Sequence, residues 1–348
     1  MTSFAARVVD RGLRLLMKRE PATPDELVIR LRRIAAAGRL PGRLPSGVTV
    51  RKTTIGNEPA VPPGVPAVCV TPDRPTATVL YLHGGAFVSG RFAMYANLCG
   101  QLAGRLNARV FWIDYRLAPE MPYPGALDDA CHACNALAAA YPDDPLAIIG
   151  DSAGGNLTLA TLLRLRDESA DGEFGPRPRM PACAVAISPG ADMVGDAPSR
   201  QANAASDAML TPRMIQMATA LYLAGHDPRD PYVSPAYGDY NGLPPLMLTA
   251  SESEVLRDDA YQVAHRARQA GVSVTLRTRW NMPHVWPVFY SVLPEARQDV
   301  ADIVGFMRRH LSAPVAGTGA ATRAKPHVPP SGQKAARSRL HSRVGGPT

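Results

Sequence analysis

The sequence predicts an α/β fold, a mainly parallel sheet covered by helices on both faces. Two observations carry that expectation. Apolar runs of strand length, at Val65–Val70, Thr78–His83, Arg109–Asp114, Leu146–Gly150 and Ala182–Ser188, alternate with helix-length segments. These runs are nearly continuous in Val, Ile, Leu and Ala, the pattern of strands buried on both faces.

The elements follow in order. The first nineteen residues suit an amphipathic helix, with Val9, Leu13, Leu16 and Met17 on one side and Arg7, Arg11, Arg14 and Lys18 on the other. Such a helix either covers an apolar mouth on the body or lies on a membrane surface; the cover is the expectation. A second helix runs over Pro24–Ala37, with Asp25 and Glu26 in its first turn, and the Gly/Pro-rich stretch Gly38–Gly47 ends this appendage. Helices at Phe92–Leu106, Gly125–Ala140 and Ser152–Arg166 then separate the strands. After Ser188 the rhythm breaks. Residues 189–243 far exceed a usual connection of about 4–6 residues, and they include a helix candidate at Pro212–Leu223, so they read as an insertion. Strand Pro245–Ala250, helix Leu256–Ala270, strand Ser273–Thr278 and a final helix at Pro294–Leu311 complete the pattern.

Composition excludes several classes. A hydrophobic content of 46% and a charged content of 20% describe a soluble globular chain with a sizeable core. No apolar run approaches the ~18–20 residues of a transmembrane helix, and no apolar stretch of a secretory signal is evident at the N-terminus. The formal charge is +8, but six of the basic residues, Arg323, Lys325, Lys334, Arg337, Arg339 and Arg343, fall in Ala313–Thr348, which holds no acid. The rest of the chain therefore carries only +2. Nucleic-acid binding needs a basic face on a folded domain, and the body offers none; residues 313–348 read as a disordered basic tail. Five cysteines, an odd number, argue against a disulfide framework and for the cytoplasm. Cys131 and Cys134 form a C-x-x-C, but no second pair completes a metal site, and both fall on the packed face of a helix candidate.

The chemistry is concentrated in Gly150-Asp151-Ser152-Ala153-Gly154, the one G-x-S-x-G in the chain. A nucleophile on a sharp strand-to-helix turn needs residues without bulk two positions to either side. An apolar strand precedes this segment and a helix rich in small residues follows it, so Ser152 is the expected nucleophile rather than a simple helix cap. A serine hydroxyl needs a base. In the order serine, acid, histidine that accompanies this turn, the base is a late histidine after the last strand. His284 in Pro283-His284-Val285-Trp286 fits; His265, His310, His327 and His341 do not. An oxyanion hole needs unobstructed N–H groups. His83-Gly84-Gly85-Ala86-Phe87 after its strand supplies such a turn, with Gly85 and Ala86, and Gly84 beside them, as candidates together with Ala153. A phosphate-binding loop is excluded for want of a G-K-[ST] ending.

At this point the residues resemble a known family. His83–Phe87, Asp114-Tyr115-Arg116-Leu117-Ala118-Pro119-Glu120, Gly150–Gly154 and Pro283–Trp286 look like the motifs of the bacterial hormone-sensitive-lipase-like esterases of the α/β-hydrolase superfamily, in the family's order, over about residues 48–311. Within the family the likeness runs to actinobacterial-type acetyl-hydrolases and lactone hydrolases. The resemblance implies an α/β-hydrolase fold and a carboxylester hydrolase that uses Ser152 and His284 without a cofactor. It also implies a helical cap built from residues 1–47 and the inserted segment 189–243, over a core of residues 48–188 and 244–311. Where the family often reads H-G-G-G, this chain has Ala86; since the N–H acts, alanine serves. Asp114–Glu120 reads as a loop network beneath the site.

The acid is the open position. It belongs in the loop past strand Pro245–Ala250, where Glu252, Glu254, Asp258 and Asp259 fall. The family pattern there looks like D-P-L-R-D-E, which Glu254-Val255-Leu256-Arg257-Asp258-Asp259 matches with glutamate in the aspartate place. Glu254 is therefore the expected acid. Ser251-Glu252-Ser253-Glu254 is also a capping box, in which Glu254 would merely close a helix N-terminus. Asp258 is the next candidate and Glu252 the third. The expected substrates are small to medium apolar esters in a pocket lined by Phe87, Trp280 and Trp286, with an N-acetyl group or a lactone as alternatives at the same site. A peptidase and a non-catalytic receptor of the same fold are the other classes. No nucleic acid or metal is expected.

Overall fold

The computed structural model describes residues 2–38, 40, 42–56, 64–171 and 179–312. The tail at 313–348 lies outside the described residues.

Among the described residues eight strands form one sheet: β1 (Val48–Ile55), β2 (Val65–Pro72), β3 (Ala77–Leu82), β4 (Ala108–Ile113), β5 (Leu146–Asp151), β6 (Cys183–Ile187), β7 (Leu246–Ser251) and β8 (Val274–Arg279). Their spatial order is β1-β2-β4-β3-β5-β6-β7-β8, antiparallel where β1 meets β2 and β2 meets β4, parallel elsewhere. The sequence pattern accounts for this arrangement. Every residue of β3, β5, β6 and β7 is buried, so their apolar runs supply both faces. Leu80, Leu82 and Ile148 join one apolar cluster, and Val79, Tyr81 and Ile149 the opposite one, as the two-residue repeat of a strand requires.

The helices are α1 (Phe4–Met17), α2 (Pro24–Ala37), α3 (Phe92–Leu106), α4 (Gly125–Ala140), α5 (Ala153–Asp171), the single turn α6 (Ser199–Ala202), α7 (Pro212–Leu223), α8 (Arg257–Gln269) and α9 (Pro294–Leu311). Residues of α4, α5 and α8 pack on the first face, and residues of α3 and α9 on the second. Local chemistry sets several of the starts. Thr23 and Thr211 accept the N–H groups of Glu26 and Met214, each followed by a proline preorganised for the first turn.

The strand missing from the sequence reading is β1. Its pattern VTVRKTTI is rich in β-branched residues, but Arg51 and Lys52 are exposed and it presents no apolar face. It sits at the sheet edge, where charge discourages pairing with another chain. The other edge, β8, is charged too: Arg277 and Arg279 pair with Asp299 of α9.

Over Ser152, α1, α2 and α7 form a separate apolar layer. Met17, Leu27, Met214 and Ala218 are its buried centre, and Leu13, Leu31, Met209 and Ala86 pack against them. The two N-terminal helices thus meet α7 as well as the turn after β3. Arg32 of α2 anchors the layer beneath, bonding to the Val88 carbonyl at 2.9 Å and the Glu120 carboxylate at 2.6 Å.

Candidate active site

Ser152 stands at the junction of β5 and α5 with a positive φ of 55°. The turn is tight enough that a side chain at Gly154 would collide with the carbonyl of Leu82 and one at Gly150 with the carbonyl of Gly154. That contact accounts for the small residues flanking the serine. His284 lies in the loop after β8, and Glu254 in the loop after β7. The three side chains form one hydrogen-bonded chain. Ser152 Oγ and His284 Nε2 are 2.8 Å apart, and His284 Nδ1 and Glu254 Oε2 are 2.6 Å apart. A carboxylate accepts, so Nδ1 carries the proton and Nε2 is left to accept from the hydroxyl.

Electrostatics poise the imidazole. Burial pulls the His284 pKa down, but the hydrogen bond and charge of Glu254, with the charges of Asp207 and Asp151, more than offset it, and the pKa lies above the ordinary histidine value. The three other acids have different partners. Asp258 accepts from the Ser199 N–H at 2.8 Å and pairs with Arg257. Glu252 accepts from the Tyr261 hydroxyl at 2.7 Å. Asp259 is buried against Arg200 at 3.0 Å. The capping box read from the sequence is a correction: Glu254 Oε1 does accept the Ser251 N–H at 2.7 Å, but Ser251 ends β7 and α8 begins only at Arg257, so the contact closes no helix.

The turn after β3 faces the serine. Gly85, Ala86 and Phe87 all have positive φ. Among the described residues no acceptor is paired with the N–H groups of Gly85, Ala86 or Ala153. Gly84 is a correction to the sequence reading. Its N–H is directed into the interior, to Asp151 Oδ1 and to the Tyr95 hydroxyl, both at 3.1 Å, and is not free to meet a ligand. His83 is held beside it between the rings of Tyr115 and Trp112, with centroids at 4.2 and 4.7 Å. Burial lowers its pKa to about 4, so it is neutral. The Tyr115 hydroxyl also donates to the His83 carbonyl at 2.7 Å, which is how the Asp114–Glu120 loop supports the turn.

Sequence reasoning missed a set of supporting residues. Asp151 is fully buried and accepts from Tyr81 at 3.0 Å, Gly84 at 3.1 Å and Tyr95 at 3.3 Å. Burial raises its pKa to about 6 against the lowering pull of those donors and of His284. An acid at the end of an otherwise apolar strand was the available signal. From the insertion, Asn203 donates to the carbonyls of Glu252 and Glu254 at 2.9 and 2.8 Å, and Asp207 accepts the Val255 N–H at 2.9 Å. No local pattern announces contacts that distant in sequence.

A cavity of about 370 Å³ opens above Ser152. Leu13, Leu27, Leu31, Met214 and Phe87 contribute to its largely apolar wall. Of the three aromatic residues expected there, Phe87 alone takes part. Trp286 is fully buried in a separate cluster, and Trp280 is 68% exposed on the outside. Cys131 and Cys134 are buried in the core, where burial pushes the Cys134 thiol up to about 12.

Residues 79–288 match the sequence profile of the alpha/beta hydrolase fold family. An acetyl-hydrolase of Streptomyces hygroscopicus is 38% identical over 232 residues, spanning 66% of this chain and 75% of that protein. An esterase of Acinetobacter venetianus is 35% identical over 234 residues, 66% of this chain and 74% of its own length. A solved esterase of the bacterial hormone-sensitive lipase family superposes with a TM-score of 0.77 at 32% identity, covering 89% of this chain and 99% of that structure. The chain belongs to the α/β-hydrolase family, among its bacterial hormone-sensitive-lipase-like esterases. The expected fold, a mostly parallel sheet sheathed by helices, is the family's own. Among the described residues no helix is long and apolar enough to cross a membrane.

Proposed function

We propose that this ester hydrolase is a serine carboxylesterase acting on small to medium apolar esters through an acyl-enzyme. The observation that carries the reading is the continuous chain Ser152–His284–Glu254, linked at 2.8 and 2.6 Å on the floor of an apolar cavity. Ser152 Oγ attacks the ester carbonyl as His284 Nε2 takes its proton. The tetrahedral oxyanion rests on the N–H groups of Gly85, Ala86 and Ala153, each worth on the order of 10²–10³ in kcat. His284 then returns the proton to the leaving alcohol. Water, deprotonated by the same imidazole, attacks the acyl-enzyme and releases the acid and Ser152. Glu254 holds the imidazole tautomer and stabilises its charged form. No step needs a cofactor.

We assign residues 1–47 and 189–243 to a cap, on the support of α1, α2 and α7 walling the cavity. Its volume suits short acyl chains. The acetyl-hydrolase similarity adds a second reading, in which acetyl groups on oxygen or nitrogen are removed at the same site. The buried thiols suit a reducing compartment, and we infer a cytoplasmic enzyme.

Turnover of p-nitrophenyl acyl esters of graded length, beside a lactone, an N-acetyl amide and an aminoacyl anilide, tests the proposal. It requires turnover of the esters, highest for the shorter chains. Activity confined to the anilide would make the protein a peptidase. Binding without turnover of any of them would make it a receptor.

A further inference from the structure

We propose that the outward face of α1, together with Trp280, docks the protein onto an anionic lipid surface. This inference stands independently of the ester-hydrolysis reading. In the sequence Arg7, Arg11, Arg14 and Lys18 mark the outer side of α1, and the structure exposes apolar residues there too. Phe4 is 75% exposed, Val8 53% and Leu15 88%. At helical spacing these three lie on one face with Arg7 and Arg11, which are also exposed. The stripe from Phe4 to Leu15 is about 16 Å long at 1.5 Å per residue. The opposite side of the same helix is committed elsewhere, with Ala6 and Met17 buried and Leu13, Leu16 and Met17 lining the cavity over Ser152.

The helix is fixed in place. Glu295 accepts the N–H and hydroxyl of Ser3 at 2.8 and 3.0 Å, and Lys18 donates to the carbonyls of Ala204 and Leu210 at 2.6 and 3.0 Å. Its outer face is therefore a preformed surface. Beside it runs a groove of about 1240 Å³ lined by Arg7, Arg11, Arg14 and Arg279 with Phe4, Val8 and Trp280. The two acids in that groove are occupied, Asp10 by Arg14 at 2.8 Å and Glu295 by Ser3. Apolar side chains flanked by arginines, with a tryptophan at the margin, match an interface in which the apolar groups enter the acyl boundary and the cations meet anionic headgroups. A second copy of the chain fits less well, because a two-fold contact through this face would bring the arginines of one copy up to those of the other.

The test is co-sedimentation of the full chain with vesicles of phosphatidylglycerol and phosphatidylcholine in equal parts, and with phosphatidylcholine alone. The full chain should bind the mixed vesicles, less so as salt rises, and the neutral ones weakly. Removing each charge in Arg7→Gln/Arg11→Gln should weaken partition about fivefold. Phe4→Ser/Val8→Ser/Leu15→Ser should weaken it at least tenfold, with hydrolysis of a soluble ester unchanged in both variants. Equal binding by the wild type and both variants, or loss of binding only on removal of residues 313–348, would overturn the proposal. So would no vesicle binding alongside capture of an acidic polypeptide such as polyglutamate, or alongside a dimer that Leu15→Ser breaks.

Discussion

Glu254 and His284 share a bond in which only one of the two carboxylate oxygens takes part. Oε2 accepts from His284 Nδ1 at 2.6 Å, while Oε1 accepts the Ser251 N–H at 2.7 Å. The contact to the end of β7 and the contact to the imidazole are therefore made by the same side chain in one conformation. Ser251 extends the link, since its hydroxyl donates to the Met282 carbonyl at 2.7 Å in the loop that carries His284. The carboxylate is thus held through both oxygens, by backbone on one and by imidazole on the other.

This relationship predicts a matched pair of outcomes. Glu254→Gln keeps the shape but replaces an acceptor with a donor on one side, and should lower kcat by about 10⁴ if the tautomer is lost. Asp258→Asn should leave kcat within about tenfold, since Asp258 bonds to Ser199 and Arg257 instead. Thermal melts check that both variants fold. A large loss in Asp258→Asn with little in Glu254→Gln would reverse the assignment.

The same pair sets a pH dependence. In the proposed mechanism His284 is a base when neutral, and its pKa is raised, with Glu254 the largest raising influence against burial. The acid limb of kcat/KM should therefore have its midpoint above the ordinary histidine value of 6.5. In the residual activity of Glu254→Gln that midpoint should move to lower pH. A midpoint unmoved by the substitution would separate Glu254 from the imidazole.

Ser152→Ala should reduce ester turnover by about 10⁶, because a nucleophile and base that act as a unit lose most of their effect together. Residual activity within tenfold of wild type would remove the serine mechanism. In the turn opposite, Gly85→Ala forces a side chain against the Ser89 carbonyl at a φ of 120°. It should cost on the order of 10² in kcat. Ala86→Gly removes a Cβ from a positive-φ position and should leave kcat nearly unchanged.

Much of the site was legible because its geometry constrains local sequence. A strained turn dictates small residues at fixed offsets around Ser152, and chain order then singles out His284. The strands were legible because two-sided burial leaves no polar residue in β3 or β6 apart from Thr78. What escaped is what local pattern does not encode. β1 has no buried face to leave a periodicity. Gly84 is indistinguishable in sequence from Gly85, yet its N–H is directed at Asp151. Trp280 and Trp286 sit in the expected loops, but orientation sends one to solvent and the other to a cluster under α1. Asn203 and Asp207 reach the Glu254 loop across some fifty residues of chain.

Deletion of residues 1–38 should raise KM most for the longer acyl esters, because it removes Leu13, Leu27, Leu31 and Ile34 from the cavity wall. Deletion of residues 313–348 should leave an active enzyme, since among the described residues α9 is the last element packed into the core. Equal kinetics for the two truncations across the acyl series would mean that α1 and α2 do not shape the substrate site.

Asp151 supplies a prediction about stability rather than rate. Its carboxyl pKa is raised to about 6, above the ordinary aspartate value of 3.8, because burial outweighs the hydrogen bonds it accepts. A carboxyl raised by folding binds its proton more tightly in the native state. Its contribution is therefore fully favourable below pH 3.8 and is lost as pH rises through about 6. At one to two kcal/mol for each unit, the swing is roughly 3 kcal/mol. Asparagine cannot titrate, so Asp151→Asn lacks this swing whatever its fixed penalty from the altered bond to Tyr95. The melting temperature of the variant minus that of the wild type should rise between about pH 4 and about pH 7. A difference that stays flat across that window would mean that the buried carboxyl does not change charge there.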